Sequence, residues 1–184
     1  MKRLTIIAAC LLFATPVLAQ SVGEKTGVNS TLGIAPTTQD FVTQAAISDL
    51  FEIGSAKLAL SNGTAAQKTF ANQMIEDHGK TSAELKKLAT GALKVNVPSQ
   101  LDSAHQGKLD KLNQARGADF APLYASQQVD AHKDAVNLFE RYSKSGENAE
   151  LKDWAGKTLP ALKHHLEMAQ KLDDTNSSAT VGKK

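Results

Sequence analysis

The chain has 184 residues, a length that suits one domain, with 21 Lys and Arg against 19 Asp and Glu and a single cysteine. Lys2 and Arg3 account for the whole excess of positive charge, so the remainder is balanced and gives no electrostatic case for nucleic acid or an anionic membrane. If Cys10 is removed with a leader, disulfides and thiolate metal sites are excluded together.

The first segment, MKRLTIIAACLLFATPVLAQ, is expected to be a secretory signal peptide. Lys2 and Arg3 form its basic start, Leu4 to Leu18 its apolar run, and Val17-Leu18-Ala19 its small-residue cleavage site. Cleavage between Ala19 and Gln20 would deliver the chain to the periplasm or to the outer membrane. Ile7-Ala8-Ala9-Cys10 faintly resembles a lipoprotein signal. That reading is set aside, because six residues separate Arg3 from Cys10 and the apolar run continues past it. No later segment approaches the roughly 20 apolar residues that a membrane span needs.

Residues 20 to 37 are rich in Ser, Thr, Gly and Pro, lack periodicity, and read as a flexible linker. Residues 38 to 172 form the expected domain, and about 135 ordered residues suffice for an apolar core without disulfides. Helix one is predicted from Thr38 or Gln39 to Ser61, with Ile47, Leu50, Phe51, Gly54 and Leu58 at the spacing of a buried face. Asn62-Gly63 ends it. Thr64 and Gln67 have the spacing of a capping box that opens helix two, which runs to about Thr90. A connection this short makes the two helices antiparallel neighbours.

Residues 91 to 118 contain Pro98 and a short helix near 100 to 115, with Leu101, Ala104, Leu109 and Leu112 on a thin apolar face. Such a connection can carry the chain from one end of a bundle to the other. Helix three is predicted to follow Asp119, an N-cap candidate, and to run to about Tyr142. Ser143 to Asn148 is a turn. Helix four is predicted from Ala149 to Leu172, with a bend at Pro160, which removes a backbone donor. Residues 173 to 184 (DDTNSSATVGKK) read as a disordered tail. Hairpin, long crossover, hairpin is the order of an all-α, ferritin-like four-helix bundle. Period-two alternation is absent, which argues against a β-barrel.

Each long helix places a polar group on an otherwise apolar stripe. His78 lies with Ala71, Met74, Ile75, Leu85 and Leu88. His165 lies with Leu162, Leu166 and Ala169. His132 lies below Tyr124 and Gln128 at steps of four. Glu52 lies on the stripe Ala45, Ser48 or Asp49, Ser55 or Ala56, Ala59, whose small residues would let a neighbouring helix come close. At about 1.5 Å rise per residue, Asp49 comes within about 3 Å of the level of His78, and Gln128 is nearly level with His165. Three imidazoles and a carboxylate suit Zn, Cu, Fe or Ni. The same residues would serve as a buried hydrogen-bond network, with Asp49, Glu52, Tyr124 and Gln128 as partners. A third reading is a pH-responsive core.

A di-iron site is disfavoured. It needs Glu-x-x-His on two helices, and the residues three before His78, His132, His164 and His165 are Ile75, Val129, Ala161 and Leu162. The acid-x-x-His that does occur, Asp102-Ser-Ala-His105, lies in the crossover. Gly156-Lys157-Thr158 lacks the earlier glycine of a P-loop. His164 does not share the face of His165 and is expected to be exposed. No serine nucleophile elbow is present.

FVTQAAISDLFEIGSAKLA, FANQMIEDHGKTSAELKKLA, FAPLYASQQVDAHKDAVNLF and LPALKHHLEMA together resemble the family known as domain of unknown function 4142. The resemblance runs from about Asp40 to Leu172. It is most specific at Asp77-His78, at Gln128-x-x-x-His132 and at Leu159-Pro160-x-Leu162-x-x-His165. It implies an exported, ferritin-like helical protein, often labelled a predicted outer membrane protein, and no established activity. It also links Glu52, His78, His132 and His165 as one set of candidate metal ligands, with Asp49, Asp77, Tyr124 and Gln128 in support.

The expected function is therefore a non-enzymatic envelope protein that binds a transition metal and serves stress tolerance. A metal-dependent oxidoreductase and a structural or interaction module with an envelope partner stay open as alternatives. The sequence sets no oligomeric state.

Overall fold

The computed structural model describes residues 21–181, so the predicted signal peptide lies outside the described residues. The fold is all-α, with no strand among the described residues. Helix α1 spans Val22–Lys25, α2 Val28–Leu32, α3 Thr38–Asn62, α4 Ala65–Leu88, α5 Ser103–Gln114, α6 Phe120–Ser145 and α7 Ala149–Val181. The long helices α3 and α4 pack as one hairpin and α6 and α7 as another, with α3 against α6 and α4 against α7. No described helix is long and apolar enough to cross a membrane.

Local chemistry fixes the hairpin ends. Thr64 Oγ1 accepts from the Gln67 N–H at 3.2 Å while Gln67 Oε1 accepts from the Thr64 N–H at 3.1 Å, the reciprocal cap predicted for α4. Asn148 Oδ1 accepts from the Leu151 N–H at 2.9 Å and opens α7. Helix α7 continues unbroken through Pro160. Asp119 does not cap α6: it sits in a short 3-10 turn, is itself αR, and its side chain accepts no capping bond. Asp102 and His105 are a cap rather than a ligand pair, since Asp102 Oδ1 takes both the backbone N–H and Nδ1 of His105 at 2.8 Å.

Two boundaries differ from the sequence expectation. Residues 21–37, read as a linker, fold onto the bundle. Glu24 makes a two-pronged pair with Arg141, at 2.8 and 3.1 Å, and the Ile34 carbonyl oxygen accepts from the same guanidinium at 2.6 Å. Polar anchoring of this kind leaves no hydrophobic period to read. Among the described residues the exposed large apolar side chains, Val22, Val28, Leu32 and Ile34, all lie on this segment. At the other end α7 runs to Val181, through residues read as a disordered tail. DDTNSSATV contains neither Gly nor Pro, so a helix already formed has nothing to stop it.

The deepest face of α3 is the small-residue stripe. Phe41, Val42, Ala45, Ala56 and Ala59 are buried, while Leu50, Gly54 and Leu58 are half-exposed. The crossover helix α5 lies over α3 and inserts the fully buried Leu112. Gly54 admits it: a Cβ there would lie 3.2 Å from Leu109 Cδ2.

Candidate metal centre

The core is divided into two apolar halves. One contains Phe41, Ala45, Leu85, Ala89, Leu138, Tyr142, Leu151 and Leu162. The other contains Ala56, Phe70, Met74, Phe120, Tyr124, Val129 and Ala169. On every long helix the chain passes from one half to the other, and at the crossing stands a polar side chain. These are Glu52 on α3, His78 on α4, His132 on α6 and His165 on α7. All four are at most 2% exposed. Helical periodicity put each on an inward stripe, and antiparallel pairing brings them to one level.

The three rings form a nearly equilateral triangle. Their centroids are 5.7 Å apart for His78 and His132, 5.5 Å for His78 and His165, and 5.6 Å for His132 and His165. One ring nitrogen from each lies within 4.8 Å of those of the other two. Donors about 2.0 Å from one tetrahedral ion stand about 3.3 Å apart, so a small closing of the rings is enough.

Each ring is fixed by its other nitrogen. His78 Nδ1 donates to Asp49 Oδ1 at 2.8 Å, His132 Nδ1 to the Gln128 carbonyl oxygen at 2.8 Å, and His165 Nε2 to Asp77 Oδ2 at 3.0 Å. A carbonyl or carboxylate oxygen can only accept, so each anchored nitrogen carries hydrogen. In the neutral ring the remaining nitrogen then holds a lone pair. Those remaining nitrogens, His78 Nε2, His132 Nε2 and His165 Nδ1, are buried with no hydrogen-bond partner. An outer hydrogen bond that fixes tautomer and orientation is the arrangement found behind metal-ligating histidines.

The electrostatics keep the lone pairs of His132 and His165 available and favour the protonated form of His78. Burial and the charge of His78 push the His132 ring down to about 3. Burial and His78 also lower His165, against the pull of Asp77. At His78 burial acts downward, but the bonded Asp49 carboxylate outweighs it and the net shift is upward. Burial raises Glu52 to about 7, with His78 pulling the other way. The Gln128 amide also favours the Glu52 anion, though its own hydrogen bond goes to Ser55 Oγ at 3.0 Å. Both Glu52 oxygens, the Tyr124 hydroxyl and Gln128 Oε1 are buried without partners. Tyr124 is raised by burial and then by the nearby Glu52 carboxylate.

The structure brings His78, His132 and His165 together, with Asp49, Gln128 and Asp77 bonded behind them, while Glu52 is buried outside the group of three and Tyr124 belongs to the second apolar half. Asp49 stands behind His78, as the level estimate implied. Gln128 acts through its backbone carbonyl on His132, in its own helix. His164 is exposed. Sequence reasoning missed Thr81 and Ser82, whose hydroxyls donate to Asp49 Oδ2 at 3.0 and 2.9 Å. Their spacing of three and four after His78 was the available signal. It also missed the pairing of Asp77 with His165, which depends on how α4 and α7 meet.

Fold and site together define an all-α protein with a buried cluster of three imidazoles, near which the Glu52 carboxylate is also buried. The chain belongs to the family described as Domain of unknown function (DUF4142), whose match covers residues 23–172 and so includes most of the N-terminal segment. No curated protein matches it. Among solved structures it resembles "CopM in the Cu(II)-bound form", with a TM-score of 0.65 and 19% identity over 77% of this chain and 99% of that one. At that identity the likeness is one of fold.

Proposed function

We propose that this is an exported, ferritin-like four-helix protein that holds a transition-metal ion, Cu(II) first, between His78, His132 and His165, with Glu52 as the fourth donor. The observation that carries the reading is three buried imidazoles, each with one nitrogen lacking a partner, on rings that bring one nitrogen apiece within 4.8 Å of one another. Lone pairs so placed repel unless a cation lies between them. One carboxylate offsets half the charge of a divalent ion in a buried setting. Imidazole donors suit Cu, Zn, Ni and Fe, and Cu(II) heads the affinity order. The fold likeness to CopM in its Cu(II)-bound form supports the same choice.

Bound there, the ion would be held rather than turned over. The donors come from four helices, and the surrounding side chains are core. Envelope stress tolerance through metal sequestration is the role that follows, and it rests on the signal peptide expected at the N-terminus. The test is metal analysis and Cu(II) electron paramagnetic resonance on tag-free protein, beside a His78→Ala/His165→Ala variant. Nitrogen hyperfine structure in the wild type and its loss in the variant are expected. Equal metal content in both would overturn the site.

A further inference from the structure

The three outer anchors of the imidazoles are not alike. Asp49 behind His78 has its side chain 10% exposed and is held by Thr81 and Ser82. The Gln128 carbonyl behind His132 is inside a buried stretch of α6. Asp77 behind His165 is different, with a side chain 32% exposed and no hydroxyl holding it. Its other oxygen, Oδ1, stands 3.9 Å from the Lys80 ammonium, which is 63% exposed and pairs with Glu76 at 2.7 Å. Thus a single carboxylate links bulk water to the buried triad, at the seam of α4 and α7.

From this asymmetry we propose that Asp77 Oδ2 and His165 Nε2 form an outer, transient capture site for the divalent transition cation, and that His165 is the ligand that swings to pass it inward. This rests on the proposed metal centre and adds how it is loaded. Asp77 and His165 already hold a donor pair 3.0 Å apart around a shared hydrogen. A carboxylate oxygen and an imidazole nitrogen are both ligands for such a cation. Capture there moves the single hydrogen of the neutral ring from Nε2 to Nδ1 by way of water, with no net proton released, and the hydrogen returns to Nε2 when Nδ1 takes up the ion inside. His78 and His132 stay fixed by their buried anchors, so the inner half of the site is preformed. The positive Lys80 opposes approach of a cation, and Asp77 with Glu76 favours it.

A cleft of about 950 Å³ lies between the N-terminal segment, α5 and the outer faces of α3 and α6. Its wall includes Ser48, Phe51 and Ala131, each next to or near a residue of the layer. There Phe51 packs edge-on against the His105 ring at 5.7 Å, and no carboxylate from that side bonds a triad imidazole. The α4–α7 seam is therefore the better route.

Stopped-flow uptake of Cu(II) by the full metal-free protein tests this, read as association and dissociation rates separately. Asp77→Asn should slow association about tenfold. Lys80→Gln, on an exposed side chain that leaves folding intact, should speed it about threefold at low salt. Ala131→Phe, which thickens the cleft wall, should leave association unchanged. If Asp77 only orients His165, the Asp77→Asn change will appear in dissociation and Lys80→Gln will load at the wild-type rate, which overturns the capture site. Slowing by Ala131→Phe with neither seam variant affected would also overturn it. A wild-type protein that takes up no Cu(II) would instead bring down the metal centre itself.

Discussion

His132 Nδ1 and the Gln128 carbonyl oxygen, one turn apart on α6, are joined by a 2.8 Å hydrogen bond that decides which face of the imidazole meets the core. The carbonyl cannot donate, so the ring carries its hydrogen on Nδ1. Its Nε2 is left as an acceptor, buried without a partner like His78 Nε2 and His165 Nδ1.

That relationship predicts a single tautomer. Long-range nitrogen–proton NMR of the metal-free protein should show His132 neutral and Nδ1-protonated from pH 8 down to the lowest folded pH, consistent with a ring held down to about 3. Its stabilising neutrality is present above the ordinary value of 6.5 and is lost as pH falls toward 3. His132→Ala should lower Cu(II) affinity by at least about 100-fold, as expected for loss of a ligand rather than of its support. An imidazole that titrates near 6.5 would contradict the burial argument.

Asp49 holds three donors: His78 Nδ1, the Thr81 hydroxyl and the Ser82 hydroxyl. Asp49→Ala should reduce metal affinity about 10- to 100-fold by releasing the His78 ring. It should also cost about 1–3 kcal/mol in the metal-free protein, because buried donors lose their acceptor. Calorimetric titration and urea unfolding read the two effects separately. Thr81→Val should show a smaller version of the same pair of changes.

Glu52 gives a pH prediction of definite sign. Its folded value is raised from 4.5 to about 7 by burial. Below pH 4.5 both folded and unfolded chains carry the acid form, and Glu52 costs nothing. As pH rises from 4.5 through 7 the unfolded chain ionises first, so the folded state loses up to about 3 kcal/mol. Glu52→Gln should abolish that loss, so the metal-free variant should overtake the wild type in stability toward neutral pH. The same variant should bind Cu(II) more weakly at pH 8, where the wild-type carboxylate is ionised. Parallel wild-type and variant stability curves across this window would sink the assignment.

The N-terminal segment offers a test outside the centre. Arg141 and Glu24 have side chains only 7% and 2% exposed, and their pair is the main polar tie between 21–34 and the bundle. Arg141→Met leaves the Glu24 carboxylate without its ion partner, still held by Gln44 Nε2 at 3.1 Å, and should cost about 1–3 kcal/mol if the segment stays docked. The cheaper outcome is release of the segment, read as new proteolytic cleavage between Val22 and Ile34 with the bundle intact.

Much of this molecule was legible in the linear chain. The hairpin ends were written as Thr64 with Gln67, and helix periodicity placed His78, His132, His165 and Glu52 inward. The rise per residue placed Asp49 beside His78. These features are local: they follow from 3.6 residues per turn and from side chains that reach only their own backbone. The N-terminal segment was not legible, because Glu24 finds Arg141 across more than a hundred residues with no periodic signal. The end of α7 was not legible either, since polar composition alone does not stop a helix.

The sequence by itself determined that the protein is all-α, that its long helices pair in two hairpins, and that each offers a polar group on its inward stripe. Only the tertiary structure decided that the three imidazoles meet at one level between two apolar half-cores, with Asp49, the Gln128 carbonyl and Asp77 each holding an outer nitrogen. Periodicity fixes the face on which a side chain lies. The rotation and relative height of neighbouring helices fix which nitrogen of a ring meets which neighbour, and those are properties of the packed core.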